Sequence, residues 1–304
     1  MNHFISIADT TASELEAIFE VASLLRDRRR RGERADPVLS GRSLAMIFEK
    51  PSLRTRVSFE QAIVELGGHA LVLSDEEVGI GRRESPADVA RVLSGMVHGI
   101  IARVYEHKKL VEMAEFGGVP VINALSDQSH PVQALADVMT LIDSFGRNLS
   151  GRTLAFIGDG NNVARSLATL CTKLGIRFVI ASPTGFELDR NWVEKQLPGA
   201  PIEMVNNARS AVRMADAIYT DTWVSMGQEA KAERRRAAFA GFQVNAELLA
   251  AAPDHAIVLH CLPAYRGREI TDEVIEGPRS RVFEQAHNRL HAQKGLLDVM
   301  YGGG

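Results

Sequence analysis

Short apolar runs alternate with longer amphipathic stretches along most of this chain, and this rhythm limits its possible folds more than any other feature. Strands that alternate with helices form a parallel sheet covered by helices on both faces. The rhythm therefore predicts an α/β chain with two doubly wound parallel-sheet domains. The predicted strands lie at 44–48, 70–73, 100–104, 119–123, 153–157, 177–182, 202–205, 217–220 and 256–260.

The segment between Phe145 and Gly151 interrupts the rhythm, because it is rich in residues that favour turns. We therefore predict a first domain at 1–147 and a second domain at 148–282. The last stretch, 283–304, has a helical pattern, and we expect it to pack back on the first domain.

Composition and charge argue against several classes of protein. The 35 Lys and Arg residues against 38 Asp and Glu residues give a net charge of −3, so no positive field would attract nucleic acid. Cys171 and Cys261 form no C-x-x-C pair, which argues against a disulfide framework or a zinc site and favours a cytoplasmic location. We also predict neither a signal peptide nor a membrane span.

A dense set of anion-binding groups follows the first predicted strand. In open parallel sheets, ligands bind beyond the carboxyl ends of the strands. There, Ser52, Arg54, Thr55 and Arg56 open a helix, whose free N–H groups and positive dipole end also favour an anion. We assign Arg54 to the anion and Arg56 to a structural salt bridge, because residues two apart on a helix point in different directions.

Other polar residues have two interpretations when each is considered alone. His130 is either a buried core histidine or a neutral hydrogen-bond donor to a carbonyl group, and Gln133 lies on the same helix face. Cys261 is either a small packed side chain or a reactive thiol. Gly158-Asp159-Gly160 matches half of a dinucleotide-binding motif, but the next strand ends in Ser182, where an acidic residue would bind a ribose.

Several motifs occur together and in order along the chain. They are Ser-x-Arg-Thr-Arg from Ser52, the isolated Arg103, His-Pro-x-Gln from His130, Asp-x-x-x-Ser-Met-Gly from Asp221, His-Cys-Leu-Pro from His260, and His-Asn-Arg from His287. This series resembles the motifs of the aspartate/ornithine carbamoyltransferase superfamily, and within it those of the ornithine carbamoyltransferases. The Ser-Met-Gly and His-Cys-Leu-Pro motifs distinguish the ornithine enzymes from the aspartate enzymes.

The resemblance implies transfer of the carbamoyl group from carbamoyl phosphate to the δ-amine of L-ornithine. The products are L-citrulline and phosphate, and the reaction uses no cofactor and no metal ion. It implies that 1–147 binds carbamoyl phosphate, that 148–282 binds ornithine, and that the active site lies in the cleft between them. It further implies a cytoplasmic homotrimer, and leaves open whether the enzyme serves arginine biosynthesis or citrulline breakdown.

The resemblance also assigns roles to individual residues. The catalytic groups are Cys261, Asp221, Arg103 and His130. The residues that bind ornithine are Asn162, Asp221, Ser225 and Met226. Those that bind carbamoyl phosphate are Ser52, Leu53, Arg54, Thr55, Arg103, His130, Gln133, Cys261, Leu262 and Arg289.

Two positions depart from the usual family pattern. Leu53 replaces a threonine, which removes a hydroxyl group but keeps the backbone N–H. Gly79 stands where many bacterial members carry a glutamine that reaches the carbamoyl phosphate of a neighbouring subunit, and Gly79 is therefore not assigned to the site.

Three alternative functions remain. A dinucleotide-dependent dehydrogenase is disfavoured by Ser182, and a non-catalytic amino-acid-binding module by the anion site at 52–56. A carbamoyltransferase for another amine, such as putrescine, is disfavoured by Asp221 and Asn162, which suit an α-amino acid.

Overall fold

The computed structural model describes residues 1–224 and 232–303 and divides into two compact units. The first unit consists of Met1–Met139 together with His287–Gly304, and the second consists of Thr140–Ala286. The division falls inside a helix, Pro131–Phe145, whereas the boundary expected at 147/148 follows the end of that helix. Each unit contains its own parallel sheet, as the rhythm of the sequence predicts.

The first unit has a sheet of parallel strands in the order β2-β1-β3-β4. Its strands are β1 (Ser43–Phe48), β2 (His69–Ser74), β3 (Gly99–Arg103) and β4 (Val121–Leu125). Its helices before the division are α1 (Ala12–Arg30), α2 (Leu53–Glu65), α3 (Asp75–Val78), α4 (Pro86–Ser94) and α5 (His107–Phe116), and the division falls within α6 (Pro131–Phe145).

The strands of this sheet differ in how deeply they are buried. Strands β1 and β3 have a neighbour on each side and are almost entirely buried, which accounts for their unbroken apolar runs. Strand β2 lies at an edge and is mostly half-buried or exposed. Strand β4 begins two residues later than the predicted 119–123, directly after Pro120, which has no N–H group to donate to a neighbouring strand.

The second unit has a parallel sheet in the order β7-β6-β5-β8-β9. Its strands are β5 (Thr153–Ile157), β6 (Arg177–Ala181), β7 (Ile202–Val205), β8 (Ala217–Thr220) and β9 (Ile257–His260). Its helices are α7 (Asn162–Lys173), α8 (Arg190–Gln196), α9 (Ala208–Val212), α10 (Ala232–Phe239), α11 (Ala246–Ala250) and α12 (Asp272–Ile275).

The strand orders identify the place in each sheet where a ligand is expected. The chain changes direction between β1 and β3 in the first sheet, and between β5 and β8 in the second. Loops after strands that flank such a switch point diverge and leave a crevice. The segments at these places are 49–52 and Arg103–Val104 in the first unit, and 158–161 and Asp221–Thr222 in the second.

The last helix, α13 (Val282–Tyr301), packs against the first unit through its second half. Gly295 allows this close approach, because a Cβ atom there would lie 2.5 Å from the carbonyl oxygen of Ile18 on α1. Further along, the Tyr301 hydroxyl donates to the carbonyl of His98 at 3.0 Å. Sequence-distant contacts of this kind bring Arg289 to the first unit.

Within the described residues, none of the helices is long and apolar enough to cross a membrane.

Candidate active site

The residues predicted to bind an anion lie at the N-terminus of α2 in the first unit. Ser52 is the N-cap residue, and its Oγ accepts a hydrogen bond from the backbone N–H of Thr55 at 3.3 Å. The first-turn N–H groups of a helix have no partner within it and suit an anion. The side chain of Leu53 is apolar and 73% exposed, so only the backbone N–H of Leu53 is suited to bind an anion.

Arg56 points away from this element. It is exposed, and its Nε lies 3.4 Å from a carboxylate oxygen of Glu60, four residues further along α2. The prediction that Arg54 and Arg56 differ in role is consistent with this ion pair.

The first unit also brings a buried histidine close to three arginines. His130 and Arg103 are buried, and they follow β4 and end β3 respectively. Burial, together with the positive charges of Arg289, Arg103 and Arg54, holds the pKa of His130 well below its ordinary value of 6.5. The imidazole is therefore uncharged at neutral pH and can donate one N–H to a carbonyl oxygen without adding a charge.

Arg289 connects α13 to both the predicted anion site and the His-Pro-x-Gln motif. Its guanidinium donates to Thr55 Oγ1 at 2.8 Å and to Gln133 Oε1. All three side chains are buried. The structure thus brings together residues that the sequence analysis drew from three separate motifs.

A lysine next to this group was missed by the sequence analysis. Lys50 Nζ lies 4.3 Å from the centre of the Tyr105 ring, and desolvation and the nearby charge of Arg103 lower its pKa. Its neighbour Glu49 accepts hydrogen bonds from Lys109 Nζ and from the backbone N–H of Tyr105, both at 2.6 Å. Their position directly after the predicted strand 44–48 could have identified Glu49 and Lys50 as candidate site residues from the sequence.

In the second unit, the side chain of Asp221 lies at the switch point and is held from several directions. Its Oδ1 accepts from the Thr222 N–H at 2.7 Å and from the Cys261 thiol at 3.0 Å, and its Oδ2 accepts from Asn161 Nδ2 at 2.8 Å. Asp221 and Cys261, predicted as catalytic groups from distant motifs, are therefore in direct contact. In this contact the thiol donates and the carboxylate accepts.

Asn161, which the sequence analysis did not assign, contacts Asp221 and precedes the predicted ornithine-binding residue Asn162. Asn161 is the N-cap residue of α7, and its Oδ1 accepts from the N–H groups of Val163 and Ala164 at 3.0 Å each. Its amide nitrogen is thereby turned towards Asp221. Asn162 is the first residue of the helix and remains half-buried beside it.

His260, in the His-Cys-Leu-Pro segment, pairs with Glu269. The sequence analysis assigned no role to either residue. His260 Nδ1 accepts from the Leu262 N–H at 2.8 Å, so the neutral imidazole carries its proton on Nε2, which lies 3.2 Å from Glu269 Oε1. Glu269 Oε1 also accepts from the Tyr265 N–H. This pair holds Leu262, which has a positive φ of 56°, within the loop that follows β9.

Asp159, in the loop after β5, forms a buried ion pair with Arg235 on α10. Arg235 donates to the carboxylate of Asp159 and to the carbonyl oxygen of Trp223, two residues after Asp221. Desolvation raises the pKa of Asp159, and the charge of Arg235 opposes that shift. The pair connects the loops that follow β5 and β8.

The glycine loop after β5 is covered by the protein's own backbone. A Cβ atom on Gly160 would lie 2.4 Å from the backbone nitrogen of Leu188, and the Gly160 N–H donates to the carbonyl of Phe186. Ser182 donates its hydroxyl to the carbonyl of Gly158 at 2.6 Å. In a dinucleotide site the pyrophosphate approaches such a glycine closely, so the structure disfavours the dehydrogenase alternative.

Two predicted ornithine-binding residues, Ser225 and Met226, lie outside the described residues. Gly79 is described, and it ends α3 with a positive φ of 64°. A Cβ atom there would lie 2.9 Å from the Cβ of Arg83, so the local backbone favours glycine. Within residues 1–224 and 232–303, no group of three or more His, Cys, Asp and Glu side chains could hold a metal ion.

Both halves of the chain match known protein domains. The carbamoyl-P binding domain of the aspartate/ornithine carbamoyltransferases matches residues 2–143, and the Asp/Orn binding domain of the same family matches residues 150–300. The ornithine carbamoyltransferase of Thermococcus kodakarensis is 49% identical over 302 residues, which cover 98% of this chain and 95% of that relative.

Two proteins from Pyrococcus furiosus are similarly close. The ornithine carbamoyltransferase named anabolic is 49% identical over 302 residues, which cover 98% of this chain and 95% of that protein. A solved structure of ornithine carbamoyltransferase from the same organism has a TM-score of 0.94 and 48% identity, and the match covers 100% of this chain and 98% of that chain. From its two matched domains and its full-length relatives, the chain belongs to the aspartate/ornithine carbamoyltransferase family.

Proposed function

We propose that the chain is an ornithine carbamoyltransferase, which transfers the carbamoyl group of carbamoyl phosphate to the δ-amine of L-ornithine to give L-citrulline and phosphate. The observation that carries this proposal is the buried, uncharged imidazole of His130 among the guanidinium groups of Arg54, Arg103 and Arg289. Such a group can bind a phosphate and polarise a carbonyl oxygen at the same time.

The phosphate is bound by charged and backbone donors at the N-terminus of α2. Ser52, Arg54, Thr55 and the N–H of Leu53 face the phosphate oxygens, and Arg103 bridges the phosphate and the carbonyl oxygen. Hydrogen bonds from guanidinium groups to phosphate are charge-assisted and stronger than neutral ones. As the phosphate leaves, it carries the charge that these donors stabilise.

The carbamoyl group is held by the neighbouring side chains. His130 and Thr55 donate to its carbonyl oxygen, where negative charge develops in the tetrahedral intermediate. Gln133 and the carbonyl of Leu262 accept from its NH₂ group, and Arg289 adds a further contact. A neutral His130 suits this role, because it donates a hydrogen bond without releasing a proton.

Ornithine is bound by groups of the second unit. Asn162, Asp221, Ser225 and Met226 hold the α-amino and α-carboxylate groups, and Cys261 lies beside the δ-amine. A lysine-like amine has a pKa near 10.4, so only about one molecule in 10³ is neutral at pH 7. Asp221, Cys261 and the departing phosphate are the groups we propose to accept the proton as the C–N bond forms and the C–O bond breaks.

We also propose that the enzyme is a cytoplasmic homotrimer assembled through the first unit. Supporting this, the apolar side chains of Leu53, Val57 and Val64 are exposed on α2, and Leu71 is exposed on the edge strand β2. Exposed apolar side chains of this kind suit a surface that associates with another subunit. Light scattering coupled to gel filtration tests it, and a monomer at micromolar concentration would reject the trimer.

The anabolic name of the Pyrococcus furiosus relative supports a role in arginine biosynthesis, which we propose for this chain. A gene deletion tests this role. We expect the deleted strain to need arginine or citrulline for growth, and growth without either would reject the biosynthetic direction.

The reaction itself is tested by offering ornithine, putrescine and aspartate separately with carbamoyl phosphate and measuring the carbamoylated product. We expect citrulline from ornithine and little product from the other two amines. Faster turnover of putrescine than of ornithine would identify putrescine as the substrate. Product from aspartate alone would assign the chain to the aspartate carbamoyltransferases.

A further inference from the structure

Gln133 and Asp137 lie one turn apart on α6 and are both buried, with Asp137 0% exposed. Gln133 Nε2 donates to Asp137 Oδ1 at 2.7 Å, and Gln133 Oε1 accepts from Arg289. The primary amide of Gln133 is therefore bound at both ends within the first unit.

These two partners allow the Gln133 amide only one orientation. A carboxylate accepts hydrogen bonds, whereas a guanidinium only donates them. If the amide were flipped, its NH₂ group would face the guanidinium of Arg289 and its oxygen would face the carboxylate of Asp137. Both contacts would be repulsive in a buried site, where unsatisfied polar groups are costly.

The fixed orientation determines what Gln133 can recognise. Its NH₂ group is directed at Asp137, and its oxygen is directed at Arg289. An amide oxygen has two lone pairs, so the oxygen that accepts from Arg289 can accept one further hydrogen bond. A ligand group beside that oxygen is favoured only if it is a donor.

Carbamoyl phosphate and acetyl phosphate differ at this group alone. The carbamoyl group carries an NH₂, which donates, and the acetyl group carries a methyl, which does not. Their phosphate and carbonyl groups offer the same contacts to Arg54, Arg103 and His130. A polar site built to bind a donor discriminates against the analogue that lacks it.

We propose that Asp137 is a positioning residue that fixes Gln133 as a hydrogen-bond acceptor, and that the site thereby selects carbamoyl phosphate over acetyl phosphate. The inference rests on the proposed function, because it requires carbamoyl phosphate beside Gln133. Asp137 contacts the NH₂ group of Gln133 and not the amide oxygen that would meet the substrate, so in this proposal it acts through Gln133.

The test measures the dissociation constants of carbamoyl phosphate, acetyl phosphate and inorganic phosphate by calorimetry for the wild type and for Asp137→Leu. We expect the variant to bind carbamoyl phosphate about tenfold more weakly, the typical effect of one lost hydrogen bond. Binding of acetyl phosphate and inorganic phosphate should stay unchanged. A variant that merely loosened the site would bind all three more weakly.

Four further variants complete the experiment: Asp137→Asn, Gln133→Ala, the double variant Gln133→Ala with Asp137→Leu, and Met139→Leu. Asp137→Asn keeps an oxygen that can accept from Gln133, so it should retain the selectivity. In the Gln133→Ala background, Asp137→Leu should reduce the selectivity no further, because its effect passes through Gln133. Met139→Leu, a buried apolar change two residues along α6, controls for repacking. If Asp137→Leu does not fold, Asp137→Ala replaces it in both backgrounds.

Unchanged selectivity in the folded Asp137 variant would overturn the proposal, as would an equal loss of binding for all three ligands. Citrulline formation by the wild type tests the proposed function separately. Absence of that product would reject the function, whereas normal product formation with unchanged selectivity would reject only the role of Asp137.

Discussion

At the scale of single residues, charge and protonation decide what each group can do. His130 is uncharged because it is buried and surrounded by arginines, and Asp221 accepts a hydrogen bond from Cys261. A histidine and a cysteine in a sequence permit many roles. The neighbouring charges reduce those roles to a neutral donor and a thiol paired with a carboxylate.

Replacement of Arg54 by alanine should weaken carbamoyl phosphate binding and leave the fold intact. The change removes a charged donor, and a hydrogen bond to a charged group contributes roughly 1.5–3 kcal/mol. We expect the KM for carbamoyl phosphate to rise by about tenfold to a hundredfold. Arg56→Ala is the matched control, because Arg56 is exposed and pairs with Glu60 on the same helix. Equal KM values for carbamoyl phosphate in Arg54→Ala and Arg56→Ala would contradict the assignment of Arg54 to the phosphate.

Replacement of Cys261 by serine should change the kinetic parameters for ornithine far more than the dissociation constant of carbamoyl phosphate. The substitution alters the group that contacts Asp221, and Asp221→Asn should lower kcat/KM further because it removes the carboxylate charge. Cys171→Ala, in the buried face of α7, serves as a control. Full activity of Cys261→Ser with ornithine would show that Cys261 is only a small packed side chain and takes no part in the reaction.

At the scale of elements, loops after the strands carry the site, and buried polar pairs hold those loops. His260 and Glu269 fix the loop after β9, and Asp159 and Arg235 connect the loops after β5 and β8. A loop held through buried hydrogen bonds keeps its carbonyl and N–H groups in place. Such positioning residues need not contact a substrate.

Replacement of Glu269 by leucine should lower kcat for citrulline formation by about tenfold or more, because catalysis needs groups held in position. The change leaves the Tyr265 N–H and the Nε2–H of His260 without their acceptor. Glu269→Gln keeps an oxygen that can accept, and it should retain most of the activity. Steady-state kinetics and thermal melting of both variants check this, and a wild-type kcat for Glu269→Leu would contradict it.

At the scale of the whole molecule, ion pairs join distant parts of the first unit, and one of their members, Lys294, is buried. Lys294 on α13 donates to Glu65 on α2 at 2.7 Å, and Arg29 on α1 donates to the same carboxylate at 2.9 Å. Desolvation alone would raise the pKa of Glu65, but hydrogen bonds from Lys294, Gln61 and Arg29 lower it to about 2. Nearby, desolvation and the charge of Lys294 lower the pKa of His291 to about 4.

These shifts predict that acid destabilises the protein in two steps. Between about pH 6.5 and 4 the unfolded chain binds a proton at His291 that the folded chain does not, so the free energy of unfolding falls as pH falls. Protonation of Glu65 continues the loss below about pH 4.5, because its folded pKa is also lower than its unfolded pKa.

The first of these steps can be isolated with His291→Gln. This variant should lose less stability than the wild type between pH 7 and 4.5, by up to about 3 kcal/mol. Denaturant melts at both pH values measure the difference. The exposed His255→Gln serves as the control. Identical pH dependence in all three proteins would contradict the role of His291.

The fold class follows from local patterns in the sequence, and so does the prediction of an anion site after the first strand. The alternation of apolar and amphipathic runs placed every strand within two residues, because strands inside a parallel sheet are largely apolar. Motifs that follow strands predicted the donors at Ser52, Arg54 and His130, because the carboxyl ends of parallel strands meet at one edge of a sheet.

Only the tertiary structure decided which residues support the site. The partners of Gln133, Asp221 and His260 come from residues far away in sequence or from side chains whose orientation depends on packing. Asn161 and Asn162 are adjacent in the sequence, and only the cap of α7 shows that the amide nitrogen of Asn161 turns to Asp221. Hydrogen-bond partners and protonation states depend on distance and burial in three dimensions, which no local pattern of residues records.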